Sequence, residues 1–374
     1  IRRPPRSTQG VSSAASDVYK RQLPTPALLL DWPAARRNIE WAAAFVADKP
    51  VQLRPHFKHH KCVPLAKAQM EAGGCVGMTT ATVAEAKALV EGGITDVLIA
   101  NQVLSGLDQL VEIAERNTIR VLVDDVANAR PIAEAGLAAG FDVGVLVEVD
   151  IGTHRSGVPP GEPALNLVRR LIDMPGVRFD GLHAYHGHVV NILETDNRAE
   201  SARSTMQLAI DTRRLVESTG IPCQILTGGG AATYKTIGEM DGVDELQIGS
   251  YVGMDWSYKE RVGDDFAIAF SVLATVISVS TQGLVLDVGV KGIAHESGPP
   301  RLLDHPSFEI PRFKSEEHTI VKAEGHDLSV GDRIRLTPSH GCGTCNLYDQ
   351  IVICDGDEVR DIWTTSARGY SIPS

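Results

Sequence analysis

The sequence has no apolar run that approaches the roughly 20 residues of a membrane-spanning helix. Cysteine is sparse, with six in 374 residues, which is too few for a disulfide-stabilised scaffold. No basic run is longer than a few residues, and 36 Lys and Arg against 47 Asp and Glu give a net charge of −11. We therefore predict a soluble globular protein without nucleic acid or membrane partners.

The first 22 residues differ in texture from the rest of the chain. They carry several Arg and Ser and contain no apolar centre of the kind that a secretory peptide requires. We interpret residues 1–22 as a disordered or expression-derived leader. Because no export signal is evident, the expected location is the reducing cytoplasm, where a cysteine is a metal ligand or a bystander.

From residue 51 onward, short β-branched runs alternate with amphipathic stretches that end at glycine, which is typical of parallel βα units. Eight strands are predicted at 52–56, 76–79, 96–101, 120–124, 144–150, 179–185, 224–228 and 245–249. Helices are predicted at 82–91, 107–115, 128–139, 164–173 and 198–218. This α/β pattern predicts a (β/α)8 TIM barrel over residues 33–262, with a doubly wound open sheet as the alternative.

After residue 263 the pattern changes to alternating Val, Ile and Leu with Gly and Asp turns, as in SVLATVISV and DQIVICDGDEV. No helical period is present, so this part is predicted to be a second, mainly antiparallel β domain at the C-terminus. The early segment TPALLLD is also strand-like and can join the same sheet. The β domain is thus predicted to comprise residues 23–32 and 263–374.

In a TIM barrel the functional groups lie at the carboxyl ends of the strands. The first strand runs into RPHFKHHKC and brings Lys58 to this end, beside His56. Burial or neighbouring cations can lower the pKa of such a lysine and prepare it to form a Schiff base, although a solvated basic loop is the alternative. Arg155 follows the fifth strand in VEVDIGTHRSG, where a salt-bridge partner is the plainer interpretation.

The later strand ends bring more polar groups to the same rim. The sixth strand ends in GLHAYHGHVVN, with His183, Tyr185, His186 and His188 within six residues. The seventh strand ends in LTGGG and the eighth in IGSY. Consecutive glycines leave backbone N–H groups free, and barrels of this type commonly bind phosphate in these two loops.

The β domain contains one segment with metal-ligand character, TPSHGCGTCNLYD. His340 and Cys342 are separated by one residue, so in an extended segment both side chains would project the same way and share one divalent ion. Imidazole with thiolate suits zinc best. The alternatives are a buried cysteine beside a surface histidine, or a redox pair of Cys342 and Cys345. A redox C-x-x-C is expected to open a helix beside a thioredoxin-like βαβ unit, whereas this one follows a strand in an all-β region, so the redox pair ranks last.

Taken together, these segments resemble the fold-type III pyridoxal phosphate enzymes, in the branch of D-threonine aldolase, D-serine dehydratase and D-threo-3-hydroxyaspartate dehydratase. The resemblance covers about residues 23–374 and rests on TPALLLD, RPHFKHHK, VEVDIGTHRSG, GLHAYHG, LTGGG, IGSY and SHGCGTCN, in that order. It implies an alanine-racemase-like barrel that binds pyridoxal 5'-phosphate and a β domain that holds a divalent metal.

By this resemblance, Lys58 is the lysine that forms the Schiff base with the cofactor. Arg155 corresponds to the arginine that meets the phenolic oxygen, and Tyr185 to the tyrosine near the ring nitrogen. The implied metal ligands are His340 and Cys342, with zinc as the first choice and manganese or magnesium as alternatives. The other implied cofactor-binding residues are His56, Thr227, Gly228, Gly229, Gly230, Gly249, Ser250 and Tyr251.

The resemblance further implies a lyase for small D-configured 3-hydroxy amino acids. A dehydratase, which yields a 2-keto acid and ammonia, is preferred because the dehydratases present His-x-Cys to the metal, as this chain does with Cys342. The aldolases usually present His-x-Asp and carry a Gln-His pair beyond the YHG. Here His188 can replace that catalytic histidine, so retro-aldol cleavage to glycine and an aldehyde is the alternative.

A racemase and a cofactor-binding protein are more distant alternatives. An amino-acid racemase has no use for His340 and Cys342, and a single-barrel cofactor-binding protein lacks the second domain. His59 stands where the family usually has a small residue, which changes the pocket beside Lys58. We predict a homodimer in which each barrel mouth faces the partner's β domain, because this would bring a distant metal-bearing loop to the cofactor.

Overall fold

The computed structural model describes residues 20–369, which form two eight-stranded sheets. The chain enters through a short 3-10 turn, Lys20–Gln22, and strand β1 (Ala27–Asp31), which belongs to the second sheet. Residues 1–19, most of the predicted leader, lie outside the described residues. Within residues 20–369, no helix is both long and apolar enough to cross a membrane.

The first sheet is parallel and forms a barrel. Its order is β2-β9-β8-β7-β6-β5-β4-β3. The bounds are β2 (Gln52–Leu53), β3 (Met78–Thr80), β4 (Asp96–Gln102), β5 (Thr118–Val123), β6 (Val143–Val149), β7 (Val177–Ala184), β8 (Ile225–Gly228) and β9 (Glu245–Leu246).

Backbone bridges join the two ends of this sheet. Parallel bridges pair Leu53 with Cys75 and His56 with Thr79, and the Thr79 N–H donates to the Pro55 carbonyl at 2.8 Å. These contacts close the sheet, since β2 already pairs with β9 on its other side. The predicted barrel is therefore confirmed, and the alternative of an open doubly wound sheet is excluded.

Helices connect the barrel strands and cover the outside of the barrel. Their bounds are α1 (Trp32–Val46), α2 (Val63–Glu71), α3 (Val83–Glu91), α4 (Leu107–Ala114), α5 (Val126–Ala139), α6 (Glu162–Ile172), α7 (Thr195–Ser218), α8 (Tyr234–Ile237) and α9 (Trp256–Val262). Helix α7 begins three residues before the predicted start, because the Glu194 side chain accepts hydrogen bonds from two N–H groups of its first turn. Polar capping residues carry no apolar period, so periodicity alone places such starts too late.

The second sheet forms the β domain, and strand β1 lies in its middle. The order is β12-β14-β10-β1-β15-β16, and β11 pairs with β10 and β13. Strand β1 is antiparallel to β10 and parallel to β15. The bounds are β10 (Phe270–Ser280), β11 (Gly283–Leu286), β12 (Arg301–Leu302), β13 (Thr319–Lys322), β14 (Arg333–Thr337), β15 (Gln350–Asp355) and β16 (Glu358–Thr364). A mainly antiparallel second domain is thus confirmed.

A short helix interrupts the β domain where the sequence indicated an extended segment. Helix α10 (Gly341–Cys345) follows β14, with His340 as its extended N-cap residue. The expectation that His340 and Cys342 project alike from a strand is therefore wrong, because Cys342 lies in the first helical turn. The Cys342 and Cys345 pair does open this short helix, but the helix lies between β14 and the later strands of the β domain and not beside a βαβ unit. The Gly-rich GCGTC has no apolar period that would reveal it.

A buried network of charges connects the barrel strands. Arg54 is 2% exposed and donates to both Glu245 oxygens and to Asp96, each at 2.7 Å. Arg120 donates to Asp96 and Asp180 at 3.0 Å. Burial alone would lower the pKa of Arg54, but hydrogen bonds and charges from Glu245 and Asp96 outweigh it and raise this pKa. The pairing therefore compensates for the desolvation of the guanidinium.

Replacing Arg54 by Met leaves Glu245 buried without its partner. Removing one member of a buried ion pair costs about 3–5 kcal/mol, so we expect the Arg54→Met variant to unfold at a clearly lower urea concentration, followed by circular dichroism. The control is Arg36→Met, because Arg36 pairs with Glu40 on the surface at 65% and 60% exposure. Such a pair contributes less than about 1 kcal/mol. Equal midpoints for the two variants would contradict the proposed weight of this network.

Candidate active site

A cavity of about 470 Å³ lies at the carboxyl ends of the barrel strands. The predicted site residues that line it are His56, Lys58, Arg155, Tyr185, Gly229, Gly230, Gly249, Ser250, His340 and Cys342. Most of the barrel residues predicted for the cofactor therefore share one cavity with the two predicted metal ligands, within one chain.

Lys58 lies in a single 3-10 turn, Phe57–His59, that follows β2. Phe57 is fully buried and anchors this turn, and the Lys58 N–H donates to His56 Nδ1 at 3.4 Å. The Lys58 side chain is exposed and lines the cavity. A primary amine on a rigid turn at the barrel mouth can attack a carbonyl carbon of a bound molecule.

Two buried imidazoles stand beside this amine. Burial, and then the charges of Lys58 and His183, holds the pKa of His56 well below its ordinary value. Burial also lowers the pKa of His183, although the Glu148 carboxylate partly offsets the effect. His183 Nδ1 lies 3.7 Å from Glu148 Oε1 and has no hydrogen-bond partner among the residues that the structure describes. Both rings are thus neutral near pH 7.

Glu148 contacts Gln102 and Arg155 at one wall of the cavity, and Arg155 in turn contacts Tyr185. Glu148 is buried, accepts a 2.6 Å hydrogen bond from Gln102 Nε2, and lies 3.5 Å from an Arg155 nitrogen. The Arg155 guanidinium in turn lies 5.6 Å from the centre of the Tyr185 ring. Glu148 therefore holds a cation over an aromatic side chain at the cavity wall.

Two glycine-containing loops form another wall. Gly229 has φ +74°, a conformation that glycine adopts without strain. At Gly249 a Cβ atom would come within 3.1 Å of His56 Cβ, so a larger residue would crowd the turn that leads to Lys58. With no bulky side chain at Gly229, Gly230 or Gly249, the polar groups that these loops offer are backbone N–H groups, which suit an anion.

The His340 and Cys342 segment lies over the barrel mouth. Asp255, at the start of α9, accepts a 2.9 Å hydrogen bond from the Gly341 N–H and so ties this segment to the barrel. His340 Nδ1 lies 3.4 Å from Glu296 Oε2. Among residues 20–369, no set of three or more His, Cys, Asp or Glu side chains is arranged to hold a metal ion. The candidate metal site thus consists of His340 and Cys342, which leave other coordination positions of an ion open.

The electrostatics of this pair suit metal binding. Burial raises the pKa of the Cys342 thiol, but the charges and hydrogen bonds of His59 and His340 outweigh it and lower the pKa to about 6. The hydrogen bond with Cys342 raises the pKa of His340 to about 9. The thiolate is the form of cysteine that ligates metals. A borderline ion such as zinc can thus replace the proton that the two side chains share.

The donor set also fits a phosphate-bearing cofactor with a reactive carbonyl. The amine of Lys58, the guanidinium of Arg155 and the glycine loops lie around one cavity of about 470 Å³. The Nδ1 atom of His183 is buried without a partner there. Such an atom costs free energy unless a further group binds beside it.

Three predicted cofactor residues lie behind the cavity wall and not on it. Thr227 is fully buried and accepts a 2.9 Å hydrogen bond from Gln247 Nε2. A Cβ atom on Gly228 would come within 2.0 Å of the Ala184 carbonyl. Tyr251 is 1% exposed, and its hydroxyl accepts a 2.8 Å hydrogen bond from Gln69. These residues are therefore buried behind the loops that line the cavity.

His188, the predicted catalytic base, is exposed and is not among the residues that line the cavity. Its Nδ1 lies 3.5 Å from Thr153 Oγ1, and its ring packs on Gly152. Its placement follows from the 3-10 turn Gly187–Asn191, which turns the chain aside after β7. The structure therefore does not bring His188 to Lys58.

Several residues of the cavity had no assigned role. They are Ala81, Ala100, Asn101, His59, His183, Ala231, Gln247 and Tyr258. A period of two along the strand was the available signal for two of them, because His183 shares a face with Tyr185 and Gln247 with Gly249. Asn101 ends the predicted strand 96–101, a position where functional groups were expected, whereas Tyr258 lies on α9 at a distance from β9 that the sequence does not specify.

His340 and Cys342 reach the barrel mouth of their own chain. A partner's β domain is therefore not needed to bring the metal ligands to Lys58, and this reason for a homodimer is wrong. Because Lys58 and Cys342 are far apart in the sequence, the sequence alone did not reveal that the β domain folds back over the barrel. The homodimer itself stays a prediction.

Comparison with known protein families matches both domains. Residues 30–255 match "Alanine racemase, N-terminal domain", and residues 269–354 match "Putative serine dehydratase domain". A D-threonine aldolase of Arthrobacter sp. is 37% identical over 358 residues, which cover 93% of each chain.

Solved structures share the whole architecture. The D-threonine aldolase of Filomicrobium marinum superposes with a TM-score of 0.91 at 35% identity, covering 95% of this chain and 98% of that one. The D-threo-3-hydroxyaspartate dehydratase of Delftia sp. HT23 gives 0.84 at 27%, covering 94% and 100%. A D-threo-3-hydroxyaspartate dehydratase mutant is described in a metal-free form. The chain therefore belongs to the fold-type III pyridoxal phosphate enzymes, whose aldolases and dehydratases are lyases.

Proposed function

We propose that the protein is a pyridoxal phosphate- and divalent-metal-dependent lyase for D-configured 3-hydroxy amino acids. One observation carries this proposal: Lys58 lines the same cavity as His340 and Cys342. A lysine alone would also suit a racemase or a cofactor-binding protein. The metal-ligand pair at the same mouth points instead to a substrate with a hydroxyl group beside the reacting carbon.

The barrel residues have separate tasks in this proposal. Lys58 holds the cofactor and is the amine in place to accept the proton from substrate Cα. Arg155, held by Glu148, orients the cofactor ring, and the loops of Gly229 and Gly249 receive its phosphate. When bound, pyridoxal phosphate supplies an electron sink for the bond that breaks at Cα.

His340 and Cys342 would hold the divalent ion, and when bound it would supply a Lewis acid for the β-hydroxyl of the substrate. Imidazole and thiolate favour zinc over manganese and magnesium, which prefer oxygen ligands. A metal-free form is described for a mutant of a D-threo-3-hydroxyaspartate dehydratase with the same fold. That description supports a metal in this family.

Between the two lyase reactions, we propose dehydration. Elimination requires a base at Cα, which Lys58 provides, and a Lewis acid at the hydroxyl that leaves. Retro-aldol cleavage requires a base for the hydroxyl proton, and the predicted base His188 does not line the cavity. The His-x-Cys pattern with Cys342 supports the same choice. The products are a 2-keto acid and ammonia.

Retro-aldol cleavage is the second candidate, and one observation favours it. The relatives at 37% and 35% identity are D-threonine aldolases, whereas the dehydratase of Delftia is 27% identical. Overall identity reports mainly on the shared fold, and a few cavity residues decide which bond breaks. Product analysis must therefore decide between the two.

We also retain the homodimer as a proposal, on the general ground that closed two-fold assemblies are the commonest oligomers of soluble enzymes. The site does not depend on it, since His340 and Cys342 reach their own barrel. Sedimentation of the active protein tests the assembly, and a fully active monomer would remove it.

The reaction is tested with the cofactor- and zinc-loaded protein and three substrates: D-serine, D-threonine and D-threo-3-hydroxyaspartate. We expect keto acid and ammonia in equal amounts, and a loss of turnover when a chelator removes the metal. Glycine with an aldehyde would instead make the protein an aldolase. Inverted amino acid that is insensitive to the chelator would exclude a metal-dependent lyase altogether.

Replacing Lys58 by Ala should abolish the visible absorbance of protein-bound cofactor, because no other lysine among residues 20–369 lines the cavity. The matched control is Lys67→Ala, a change on the exposed face of α2 that should leave the spectrum intact. The measurement is the absorbance spectrum after removal of free cofactor. If the Lys58 variant keeps the band, the cofactor is attached elsewhere.

Replacing Cys342 by Ala should leave the cofactor absorbance in place but remove metal-dependent turnover. A Lewis acid contributes several kcal/mol to the transition state, so we expect a loss of at least about 100-fold. The control is Cys354→Ala, which changes a buried cysteine of β15 outside the cavity. Full turnover in the Cys342 variant would show that the metal is bound elsewhere or not used.

A further inference from the structure

His59 connects the barrel to the β domain at the proposed metal site. It follows Lys58 directly, is completely buried, and its Nδ1 lies 3.3 Å from the Sγ atom of Cys342. This separation is that of an N–H···S hydrogen bond. The side chain next to the cofactor lysine thus contacts a proposed metal ligand that is 283 residues away in sequence.

The contact with Cys342 is the main polar interaction of the His59 ring. Its other nitrogen, Nε2, is buried and has no hydrogen-bond partner in the described part of the chain. The ring packs beside Phe270, with the two ring centres 5.6 Å apart. A Cβ atom on Gly341 would come within 2.6 Å of its Cε1 atom. The ring is therefore held in one orientation, with Nδ1 toward the sulfur.

The adjacent His60 shows what a purely structural histidine looks like at the same depth. It is also completely buried, but its Nε2 contacts Gln69 Oε1 at 3.0 Å and its Nδ1 accepts from the Cys62 N–H at 3.1 Å. Both ring nitrogens of His60 are thus satisfied within the barrel. Only one nitrogen of His59 is satisfied, and its partner is the Cys342 sulfur. Burying the His59 imidazole with only one nitrogen hydrogen-bonded costs free energy. A role in packing alone does not account for this cost.

We propose that His59 is a positioning residue of the metal site, which orients the Cys342 sulfur toward the ion and so favours zinc over manganese and magnesium. The proposal rests on the proposed function, since it assumes that His340 and Cys342 are the ligands.

The physical argument is one of preorganisation. A metal-bound thiolate can only accept, so the Nδ1–H of His59 is the donor, and this bond restricts rotation of the Cys342 side chain. Partners of this kind typically change metal affinity by about 10- to 100-fold when they are removed. Manganese and magnesium draw their affinity from oxygen ligands and water. Their binding depends less on the sulfur and hence less on His59.

The test is the affinity of the cofactor-loaded protein for zinc and for manganese, each measured by competition with a chelating dye. In the His59→Ser variant we expect zinc affinity to fall by about 10- to 100-fold, and manganese affinity to fall by much less. The His59→Asn variant should recover most of the zinc affinity, because its Nδ2 can donate from nearly the same position as Nδ1.

The matched control is His60→Asn, which alters the neighbouring buried imidazole without touching Cys342 and should leave the ratio of zinc to manganese affinity unchanged. A cobalt-loaded protein gives a second measurement, because the sulfur-to-cobalt absorption band should shift in His59→Ser and stay in place in His60→Asn. This band reports on the sulfur and not on folding.

Two results would overturn the proposal. Unchanged zinc affinity in His59→Ser would show that the ring does not act on the metal. An equal loss for both metals, with no recovery in His59→Asn, would show that the ring only packs the site. The Cys342→Ala variant separates this from the proposed function: if that variant keeps its zinc affinity, the assumed ligands are wrong, whatever His59 does.

Discussion

The closure of the barrel at β2 is the constraint on which the site depends. This strand is short, and its continuation is held on both sides by backbone hydrogen bonds: the His56 N–H donates to the Ile248 carbonyl at 2.9 Å, and the Pro55 carbonyl accepts from Thr79 at 2.8 Å. Lys58 follows two residues later on a single turn. The bonds that close the barrel therefore also determine where the reactive amine lies. An open sheet would leave the same residues on a free edge.

A second set of contacts places the β domain over this mouth. Strand β1 precedes the barrel in sequence but lies in the middle of the second sheet, so both ends of the barrel region lead directly into the β domain. Asp255 caps α9 through the Tyr258 N–H at 2.8 Å and also accepts from Gly341 at 2.9 Å. One buried carboxylate thus connects the last barrel segment to the helix that carries Cys342. His340, Cys342 and Lys58 are brought together by this covering of the mouth.

Much of this architecture can be predicted from the sequence, since alternation of period two and helical periodicity are local properties. The βα units and the later β-rich region are examples, and glycines, lysine and arginine at strand ends locate one rim. The features that local patterns did not reveal depend on contacts between distant residues. His188 is turned away by a 3-10 segment, Tyr251 points to Gln69, and a Gly-rich helix replaces an extended segment at Cys342. None of these follows from a local period.

The sequence by itself determined the two kinds of layer, the order of the barrel strands and the residue types available at their ends, because patterning and strand polarity are written along the chain. Only the tertiary structure decided which of those residues share a cavity. His59 and Cys342 meet because the β domain folds back over its own barrel, and His183 becomes a neutral ring because burial lowers its pKa. Proximity and desolvation arise from the packing of the whole chain, and they are the physical quantities that turn side chains into a site.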